Sequence, residues 1–330
     1  VIEKVLPFLK DKITSSSMTV PVPDGSIVDL TIDIKKKTSS ETINKIIEEN
    51  ITSKFISKRI GITYDPIVSS DVVGNSLSGL IDGRSTMDIN EKKIKILIWF
   101  DNGWGYSSRI LETIKIYQEK DWNMNNIAIN GFGRIGRSIL RIIVEQDIDL
   151  NVVAINDLGD YENLAYLFKH DSIMGILDAD ISIQNNILKI NKREIKLISI
   201  ADPSKLPWKD MNADIVIEST GIFTNRDSLN KHLNAGAKKV LLTVPPKDEI
   251  DATIVLGVND ETLDNESKLI SNASCTTNCL APIAKVLNDN FTIKSGLMTT
   301  VHAYTNDQAL AETTHTDFRR GRNATQNIIP

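Results

Sequence analysis

The sequence is poor in the residues that form disulfide frameworks and metal sites. It has two cysteines, Cys275 and Cys279, in 330 residues, which is too few for a disulfide framework and is typical of a reducing compartment. Its four histidines show no metal-ligand spacing with each other or with the cysteines. We therefore expect no metal site, structural zinc included.

Long apolar runs and a large excess of one charge are also lacking. No stretch approaches the roughly 20 apolar residues that cross a bilayer, and the first ten residues lack the apolar block of a signal peptide. Lysine and arginine number 38 against 43 acidic residues, a net charge of −5, which gives no sign of binding to nucleic acid or an anionic membrane. We expect a cytoplasmic protein without either partner, and the length predicts two domains with a sizeable core.

Alternation and apolar runs predict the secondary structure coarsely. Helices are expected at 1–10, 38–49, 101–120, after Gly136 to about 145, 226–234 and 275–288. Strands are expected at 27–34, 60–64, 95–100, 126–130, 151–155, 214–218, 239–244, 253–256 and 297–302, with a hairpin over 181–190. Thr38 and Glu41 form a capping-box pair for the second helix. The first hundred residues thus indicate an antiparallel α+β domain, and the part after residue 126 a parallel sheet.

A glycine-rich segment follows the strand at 126–130. Gly131, Gly133 and Gly136 have the G-x-G-x-x-G spacing between a strand and a helix, and Asp157 follows the next strand, 21 positions beyond the last glycine. In such a unit the glycines allow a tight turn, close approach of a pyrophosphate and packing of the helix, while the acid accepts hydrogen bonds from ribose hydroxyls. A glycine turn beside a surface aspartate is the minor alternative. The pattern predicts a Rossmann dinucleotide site.

A cysteine lies within the segment S-N-A-S-C-T-T-N-C-L-A-P (271–282), directly before a helical apolar pattern. The N-terminus of a helix favours a thiolate through its dipole and its unpaired N–H groups. A lone cysteine is more often a small buried hydrophobe, but the hydroxyls of Ser274, Thr276 and Thr277 surround this one. We expect Cys275 to be a covalent nucleophile and Cys279, one helical turn later, to serve packing.

Seven segments together resemble the phosphorylating glyceraldehyde-3-phosphate dehydrogenase family. They are V-P-V-P-D-G-S-I-V-D-L (20–30), W-F-D-N-G-W-G-Y-S-S-R (99–109), I-N-G-F-G-R-I-G-R (129–137), S-T-G-I-F-T (219–224), N-A-S-C-T-T-N-C-L-A-P (272–282), H-A-Y-T-N-D-Q (302–308) and R-R-G-R-N-A-T-Q-N-I-I-P (319–330). They are spread over nearly the whole chain, so the resemblance is highly specific. It implies an α/β Rossmann dinucleotide-binding domain plus an α+β catalytic domain with a mainly antiparallel sheet.

The order of the segments is circularly permuted relative to that family. Residues 1–122 resemble its C-terminal part and 124–330 its N-terminal part, joined just before Met124. The implied dinucleotide-binding domain is 103–272, including the permuted C-terminal helix 103–122, and the implied catalytic domain is 1–102 with 273–330. A short family segment rich in Thr, Gly, Ala and Lys is expected between Pro330 and Val1 and is absent there.

The resemblance implies a role for individual residues of this chain. Cys275 matches the nucleophile and His302 the catalytic base; a satisfied strand histidine is the alternative for the latter. Asn102 matches the residue that holds the nicotinamide carboxamide, with Tyr106 supporting it, although Asn102 also suits a helix N-cap. The remaining implied cofactor-binding residues are Gly131, Gly133, Arg134, Ile135, Gly136 and Asp157.

Two anion sites are implied as well. Thr305 matches a contact to the substrate phosphate, and Ser274 and Thr276 match half of the inorganic-phosphate site, whose other half belongs to the absent segment. Thr19 stands where the family usually has an arginine. A hydroxyl lacks the charge and the bidentate geometry of arginine, so either phosphate binding is weaker or Arg319, Arg320 or Arg322 compensates.

The resemblance implies a homotetrameric glycolytic oxidoreductase. It would convert D-glyceraldehyde 3-phosphate, inorganic phosphate and NAD to 1,3-bisphosphoglycerate and NADH through a cysteine thiohemiacetal and thioester. The alternatives are an erythrose-4-phosphate dehydrogenase and a folded NAD-binding protein with impaired phosphorylating activity. Asp157 and Leu158 favour NAD because a carboxylate repels a 2′-phosphate, whereas Thr313, Thr314 and His315 resemble members that also accept NADP.

Overall fold

A computed structural model describes residues 1–51, 56–119 and 124–330. These residues form two compact units. Unit 1 comprises 1–106, 255–259 and 275–330, and unit 2 comprises 107–254 and 260–274. The boundaries lie a few residues from the domain limits expected from the sequence, and the segment 255–259, expected in the dinucleotide-binding domain, belongs to unit 1.

Helices occur in both units. The α-helices of the described residues are α1 (Ile2–Val5), α2 (Ser40–Ile51), α3 (Trp104–Glu119), α4 (Arg134–Glu145), α5 (Tyr161–Lys169), α6 (Arg226–Asn234) and α7 (Cys275–Phe291). Short 3-10 turns lie at Pro7–Leu9, Ser69–Val72, Pro203–Lys205 and Asp260–Thr262. The expected continuation of α3 through residues 120–122 lies outside the described residues. Nowhere in the described chain does a helix have the length and hydropathy needed to cross a membrane.

Strands also occur in both units. They are β1 (Ile13–Val20), β2 (Ser26–Ile34), β3 (Ile60–Thr63), β4 (Gly79–Asp82), β5 (Met87–Asn90), β6 (Lys93–Phe100), β7 (Asn126–Asn130), β8 (Asn151–Asn156), β9 (His170–Asp171), β10 (Gly175–Ile176), β11 (Ile181–Gln184), β12 (Ile187–Ile190), β13 (Arg193–Ile198), β14 (Ile215–Glu218), β15 (Lys239–Leu242), β16 (Ala252–Thr253), β17 (Leu269–Ser271) and β18 (Ile293–Ala303).

The sheet of unit 1 is mainly antiparallel, as expected. Its strand order is β1-β18-β2-β6-β4-β3, with β5 beside β6; β1 and β18 are parallel, as are β3 and β4. The central strands β2 and β6 alternate buried and half-buried residues, because successive side chains of a strand point to opposite faces. Helix α7 lies against this sheet and buries Leu280, Ala284 and Leu287.

The main sheet of unit 2 is the parallel one that the sequence predicts. Its order is β11-β12-β13-β8-β7-β14-β15-β17-β16, and the strands from β13 to β16 pair in parallel. Every residue of β14 and β15 is buried, which is typical of parallel strands covered on both faces. At the antiparallel end, Asn185 and Asn186 have positive φ angles of 52° and 61°, and they confirm the predicted hairpin turn.

A buried hydrogen-bond network joins the middle of this sheet to helix α6. The Trp208 indole N–H donates to Nδ1 of His232 (3.0 Å), and Nε2 of His232 lies 3.1 Å from Oε2 of Glu218. Because an indole N–H can only donate, Nδ1 must accept and the imidazole hydrogen lies on Nε2, facing Glu218. The Asn130 amide also donates to this carboxylate. All four side chains are at most 1% exposed.

Replacing His232 with phenylalanine is expected to destabilise unit 2 strongly. The substitution keeps an aromatic ring, but it leaves the buried Trp208 N–H without an acceptor and removes one hydrogen bond to the Glu218 carboxylate. The free energy of unfolding should fall by about 3 kcal/mol. Urea unfolding measures the loss. His170→Phe is the matched control, since His170 is half-buried and its ring lies 4.6 Å from that of Tyr166. Equal urea midpoints of unfolding for the two variants would contradict the stabilising role of this buried hydrogen-bond network.

Several local predictions differ from the structure. The helix expected over 1–10 is reduced to α1 and the 3-10 turn at Pro7–Leu9. Strand β1 was not expected, because its Ser- and Thr-rich residues are mostly exposed and lack apolar alternation; parallel pairing with β18 stabilises it. Ser39, not Thr38, caps α2, because its hydroxyl accepts the Thr42 N–H. The strand expected at 253–256 is reduced to the two residues of β16.

Candidate active site

Cys275 is the first residue of α7, and its side chain is half-buried. Its sulfur lies 3.4 Å from Nε2 of His302, near the end of β18 in the same unit. A helix begins at this cysteine because the small polar residues around it lead into the apolar segment that starts at Cys279. The structure thus brings together the two residues that the sequence gives as nucleophile and base, at a helix end that favours negative charge.

His302 is held from both of its ring nitrogens. Its Nδ1 lies 2.6 Å from the Ala303 carbonyl oxygen, which accepts the hydrogen and leaves Nε2 facing Cys275. Burial by itself lowers the pKa of His302, but the charge and hydrogen bond of Cys275, followed by the Ala303 carbonyl and Asp24, raise that pKa to about 8 from 6.5. The imidazolium therefore persists beside Cys275 at neutral pH. Its stabilising contribution is complete below pH 6.5 and is lost as the pH rises through about 8.

Removing the thiol should lower the pKa of His302. In a Cys275→Ala variant the largest raising influences disappear while burial remains, so the pKa should fall from about 8 to a value nearer 6.5 or below. An NMR titration of the histidine ring signals measures this, with His302→Gln to assign the resonance. Cys279→Ala is the control, because burial raises the pKa of Cys279 well above its usual value and keeps that thiol uncharged. An unchanged His302 titration in Cys275→Ala would contradict the contact.

Asn102 lies in the loop between β6 and α3 and is 6% exposed. Its Oδ1 accepts a hydrogen bond from the Ser26 hydroxyl at 3.1 Å. The carboxylate of Asp101, rather than Asn102, accepts the N–H groups of Gly103 and Trp104 at the start of α3, so the alternative reading of Asn102 as the N-cap is wrong. The Asn102 amide is thereby available for another role.

Two further groups beside this loop are buried and have shifted pKa values. Burial, followed by the charge of Asp24, raises the pKa of Asp101 to about 7. Burial, followed by the charge of Cys275, raises the pKa of Tyr106 well above its usual value. Sequence reasoning missed Asp24, Ser26 and Asp101, although all three lie in the segments 20–30 and 99–109. Their signal is a polar residue near or at one terminus of an apolar strand, β2 for Asp24 and Ser26 and β6 for Asp101.

The hydroxyl residues expected to bind phosphate are partly exposed. Ser274 and Thr276 flank Cys275 in the chain and are half-buried, as is Thr305. The Thr305 hydroxyl donates to the Gln308 side chain (3.2 Å) and accepts the Asp307 N–H (3.3 Å) within a local turn. Thr305 therefore already has partners in its own loop, while a hydroxyl keeps capacity for a further acceptor or donor.

Thr19 is buried, and its backbone forms a two-way bridge with Ile329. It lies opposite His302 in the pairing of β1 with β18. The three arginines considered as substitutes for a family arginine are all paired with acids of their own loop: Arg319 with Asp317, Arg320 with Asp307 and Asp317, and Arg322 with Glu312. Their charges are thus largely balanced where they stand.

The glycine loop of unit 2 has the shape that a bound pyrophosphate requires. Gly131 has a φ of +94°, and a Cβ there would lie 2.7 Å from the Thr220 nitrogen. A Cβ on Gly136 would lie 2.3 Å from the Gly131 carbonyl oxygen. Gly133 is the N-cap of α4, so the N–H groups of the first turn, including those of Arg134 and Ile135, face the end of the helix where an anion is favoured.

Asp157 follows β8 and is tied to the glycine loop. One carboxylate oxygen accepts the Phe132 N–H at 2.7 Å, and the other accepts the Gly159 N–H at 2.8 Å. A carboxylate has about four acceptor positions, so Asp157 can still accept hydrogen bonds from two ribose hydroxyls. The geometry of the loop and the remaining acceptors fit a dinucleotide.

The fold and these sites define a dinucleotide-binding protein, with the glycine loop in unit 2 and a cysteine–histidine pair in unit 1. A family model described as the glyceraldehyde 3-phosphate dehydrogenase NAD binding domain matches residues 125–226, and the C-terminal domain of the same family matches residues 1–102 and 274–330. The chain belongs to the glyceraldehyde-3-phosphate dehydrogenase family. Residues of the C-terminal domain precede the NAD-binding domain here, which agrees with the permuted order expected from the sequence.

Curated relatives carry the same family name. Glyceraldehyde-3-phosphate dehydrogenase of Streptomyces coelicolor is 53% identical over 205 residues, which are 62% of this chain and 61% of the relative. Those of Borreliella burgdorferi and Thermotoga maritima are 54% and 53% identical over 209 and 208 residues, covering 62% of each relative and 62% and 63% of this chain. The matched region thus spans about three fifths of these relatives.

Proposed function

We propose that this chain is a phosphorylating glyceraldehyde-3-phosphate dehydrogenase that uses Cys275 as nucleophile and His302 as general acid and base. The observation that carries the proposal is the 3.4 Å contact between the Cys275 sulfur and His302 Nε2 at the start of α7. The substrates are D-glyceraldehyde 3-phosphate, inorganic phosphate and NAD, and the products are 1,3-bisphosphoglycerate and NADH. Family membership and the glycine loop of unit 2 support the assignment.

The reaction begins at the cysteine. The Cys275 thiolate attacks the aldehyde carbon, and the carbonyl electrons become an oxyanion that takes the proton from the His302 imidazolium. Backbone N–H groups at the start of α7 stabilise that oxyanion. The product of this step is a thiohemiacetal on Cys275, and His302 is left neutral and ready to act as a base.

Oxidation of this adduct requires the loss of a proton and a hydride. Neutral His302 takes the hydroxyl proton, and the chemistry that NAD supplies when bound is acceptance of the hydride. The resulting thioester on Cys275 is attacked at its carbonyl carbon by an oxygen of inorganic phosphate. The carbon–sulfur bond breaks, which releases the acyl phosphate and restores the thiolate.

The residues proposed for the cofactor are Asn102 and Tyr106 in unit 1 and Gly131, Gly133, Arg134, Ile135, Gly136 and Asp157 in unit 2. Asp157 favours NAD, since a 2′-phosphate would meet a carboxylate that already faces the glycine loop. Ser274, Thr276 and Thr305 are proposed to contact the phosphates. A homotetramer in the cytoplasm completes the proposal, and both cysteines are free thiols, in keeping with a reducing compartment.

An absorbance assay for NADH tests the proposal. With glyceraldehyde 3-phosphate and NAD, sustained turnover should depend on inorganic phosphate and should exceed turnover with erythrose 4-phosphate under the same conditions. Faster oxidation of erythrose 4-phosphate would favour the alternative sugar specificity. Binding of NAD without phosphate-dependent NADH formation would overturn the phosphorylating activity, an outcome for which Thr19 in place of arginine provides a reason.

A further inference from the structure

Ser26 is the first residue of β2, and β2 lies between β18 and β6 in the sheet of unit 1. Both neighbours are antiparallel to β2, so both end at the edge of the sheet where β2 begins. Strand β18 ends at Ala303, directly after His302, and β6 ends at Phe100, two residues before Asn102. Ser26 is therefore placed beside the two segments that carry these residues.

The Ser26 hydroxyl is bonded to both segments. The backbone N–H of Ala303 donates to Ser26 Oγ at 3.0 Å, and Ser26 Oγ donates to Asn102 Oδ1 at 3.1 Å. Ser26 itself is fully buried. One hydroxyl thus connects Ala303 and Asn102, which lie 277 and 76 positions away in the chain.

The directions of these two bonds fix the orientation of the Asn102 amide. A backbone N–H can only donate, so Ser26 accepts from Ala303 and its single hydrogen remains for Asn102. Asn102 must then turn its oxygen toward Ser26. Its Nδ2 group, with two donor hydrogens, is left to meet an acceptor such as the oxygen of a carboxamide. Among the described residues, the bond to Ser26 is what distinguishes the two orientations of the amide.

The same hydroxyl acts on the peptide that orients His302. The Ala303 carbonyl accepts from His302 Nδ1 at 2.6 Å, while the Ala303 N–H is held by Ser26. Ala303 is thereby fixed through both of its polar backbone groups. A shift of this residue would move the imidazole relative to the Cys275 sulfur.

The turn before β2 places Ser26. Gly25 has a φ of +81°, and a Cβ there would lie 2.1 Å from the Ser69 carbonyl oxygen, so only glycine fits. The Gly25 N–H is bonded to the buried Asp24 carboxylate at 2.8 Å. This turn fixes the backbone conformation at the start of β2. It therefore places the Ser26 hydroxyl within hydrogen-bond distance of the end of β18 and of the loop that follows β6.

We propose that Ser26 is a positioning residue, whose hydroxyl orients the Asn102 amide toward the nicotinamide carboxamide and holds Ala303 so that His302 faces Cys275. The proposal rests on the proposed function for the roles of Asn102, His302 and Cys275. Ser26 contacts none of the reacting atoms. It acts through its two hydrogen bonds, so its loss affects cofactor binding and thiol reactivity together.

Ser26→Ala tests the proposal in the protein without substrate. The rate of Cys275 alkylation by iodoacetamide should fall about 3- to 10-fold because the hydrogen bond to Ala303 is lost. The dissociation constant for NAD should rise by a similar factor because the hydrogen bond to Asn102 is lost. The matched control is Ser267→Ala, which removes a buried hydroxyl that donates to Asp264 within a loop of unit 2 and should change neither quantity. If the alanine variant does not fold, Ser26→Cys replaces it in the test, because a thiol has a similar volume but forms weaker hydrogen bonds.

A double-mutant cycle tests whether Ser26 affects the NAD dissociation constant through Asn102. If Ser26 acts through Asn102, Ser26→Ala should raise the NAD dissociation constant less than about 2-fold in an Asn102→Ala background. An equal effect in both backgrounds, or unchanged alkylation and NAD binding in Ser26→Ala, would overturn the proposal. A wild-type protein that does not bind NAD would refute the proposed function instead, and the alkylation rates would still decide whether Ser26 positions His302.

Discussion

Cys275→Ala is expected to abolish NADH formation, with a fall in kcat on the order of 10⁴-fold or more. The nucleophile has no substitute, because Cys279 is fully buried and burial raises the pKa of its thiol well above the usual value. Without the covalent adduct, the aldehyde presents no thiohemiacetal from which a hydride can leave. The loss should be in turnover and not in cofactor binding, since Cys275 is not among the residues proposed to hold NAD.

Cys279→Ala is the matched control for this prediction. It removes a sulfur atom from the same helix, one turn later, and leaves a small cavity beside Gly79, whose Cβ would lie 3.4 Å from that sulfur. Thermal stability should decrease, while kcat should stay within about 3-fold of the wild-type value. Steady-state kinetics and NAD titrations of both variants make the comparison. An active Cys275→Ala protein would remove the basis of the proposed mechanism.

His302→Gln is expected to reduce kcat by about 10²- to 10⁴-fold, the range typical of a lost general acid and base. Glutamine retains a polar side chain of similar length but can neither hold a proton for the oxyanion nor accept one from the thiohemiacetal hydroxyl. The variant also loses the imidazole that faces the Cys275 sulfur, so alkylation of Cys275 at pH 7 should slow. Both effects follow from the contact between the sulfur and Nε2.

His315→Gln is the corresponding control. His315 lies in the loop after β18 and bonds only to the backbone of Asp317 among the contacts described. Its replacement should leave the alkylation rate unchanged. A His302→Gln variant with wild-type turnover and a wild-type alkylation rate would show that the imidazole is neither the general acid and base nor an activator of Cys275.

Local patterns were sufficient to predict much of unit 2. The strand β7, the glycine loop and α4 follow one another in sequence, and α6 begins and ends at the predicted residues Arg226 and Asn234. Here apolar periodicity, capping residues and glycine spacing all act over a few positions. The parallel pairing follows from the buried apolar strands and the helices between them.

Long-range pairing explains what the sequence could not reveal. Strand β1 exists because β18 pairs with it, although paired residues such as Ser16 and Thr299 are 283 positions apart in the chain. The bonds of Ser26 to Asn102 and Ala303 likewise depend on the order β18-β2-β6. The meeting of Cys275 and His302 was expected from family resemblance, not from spacing, since nothing local brings the end of β18 to the start of α7.

The most direct test of the central claim is a single-turnover experiment without inorganic phosphate. Enzyme is mixed with glyceraldehyde 3-phosphate and NAD, NADH is followed by absorbance, and the quenched protein is digested for mass spectrometry. The proposed mechanism predicts a burst approaching one NADH per active chain and an acyl adduct on the peptide that contains Cys275. Absence of a burst, or an adduct on any other residue, would contradict it.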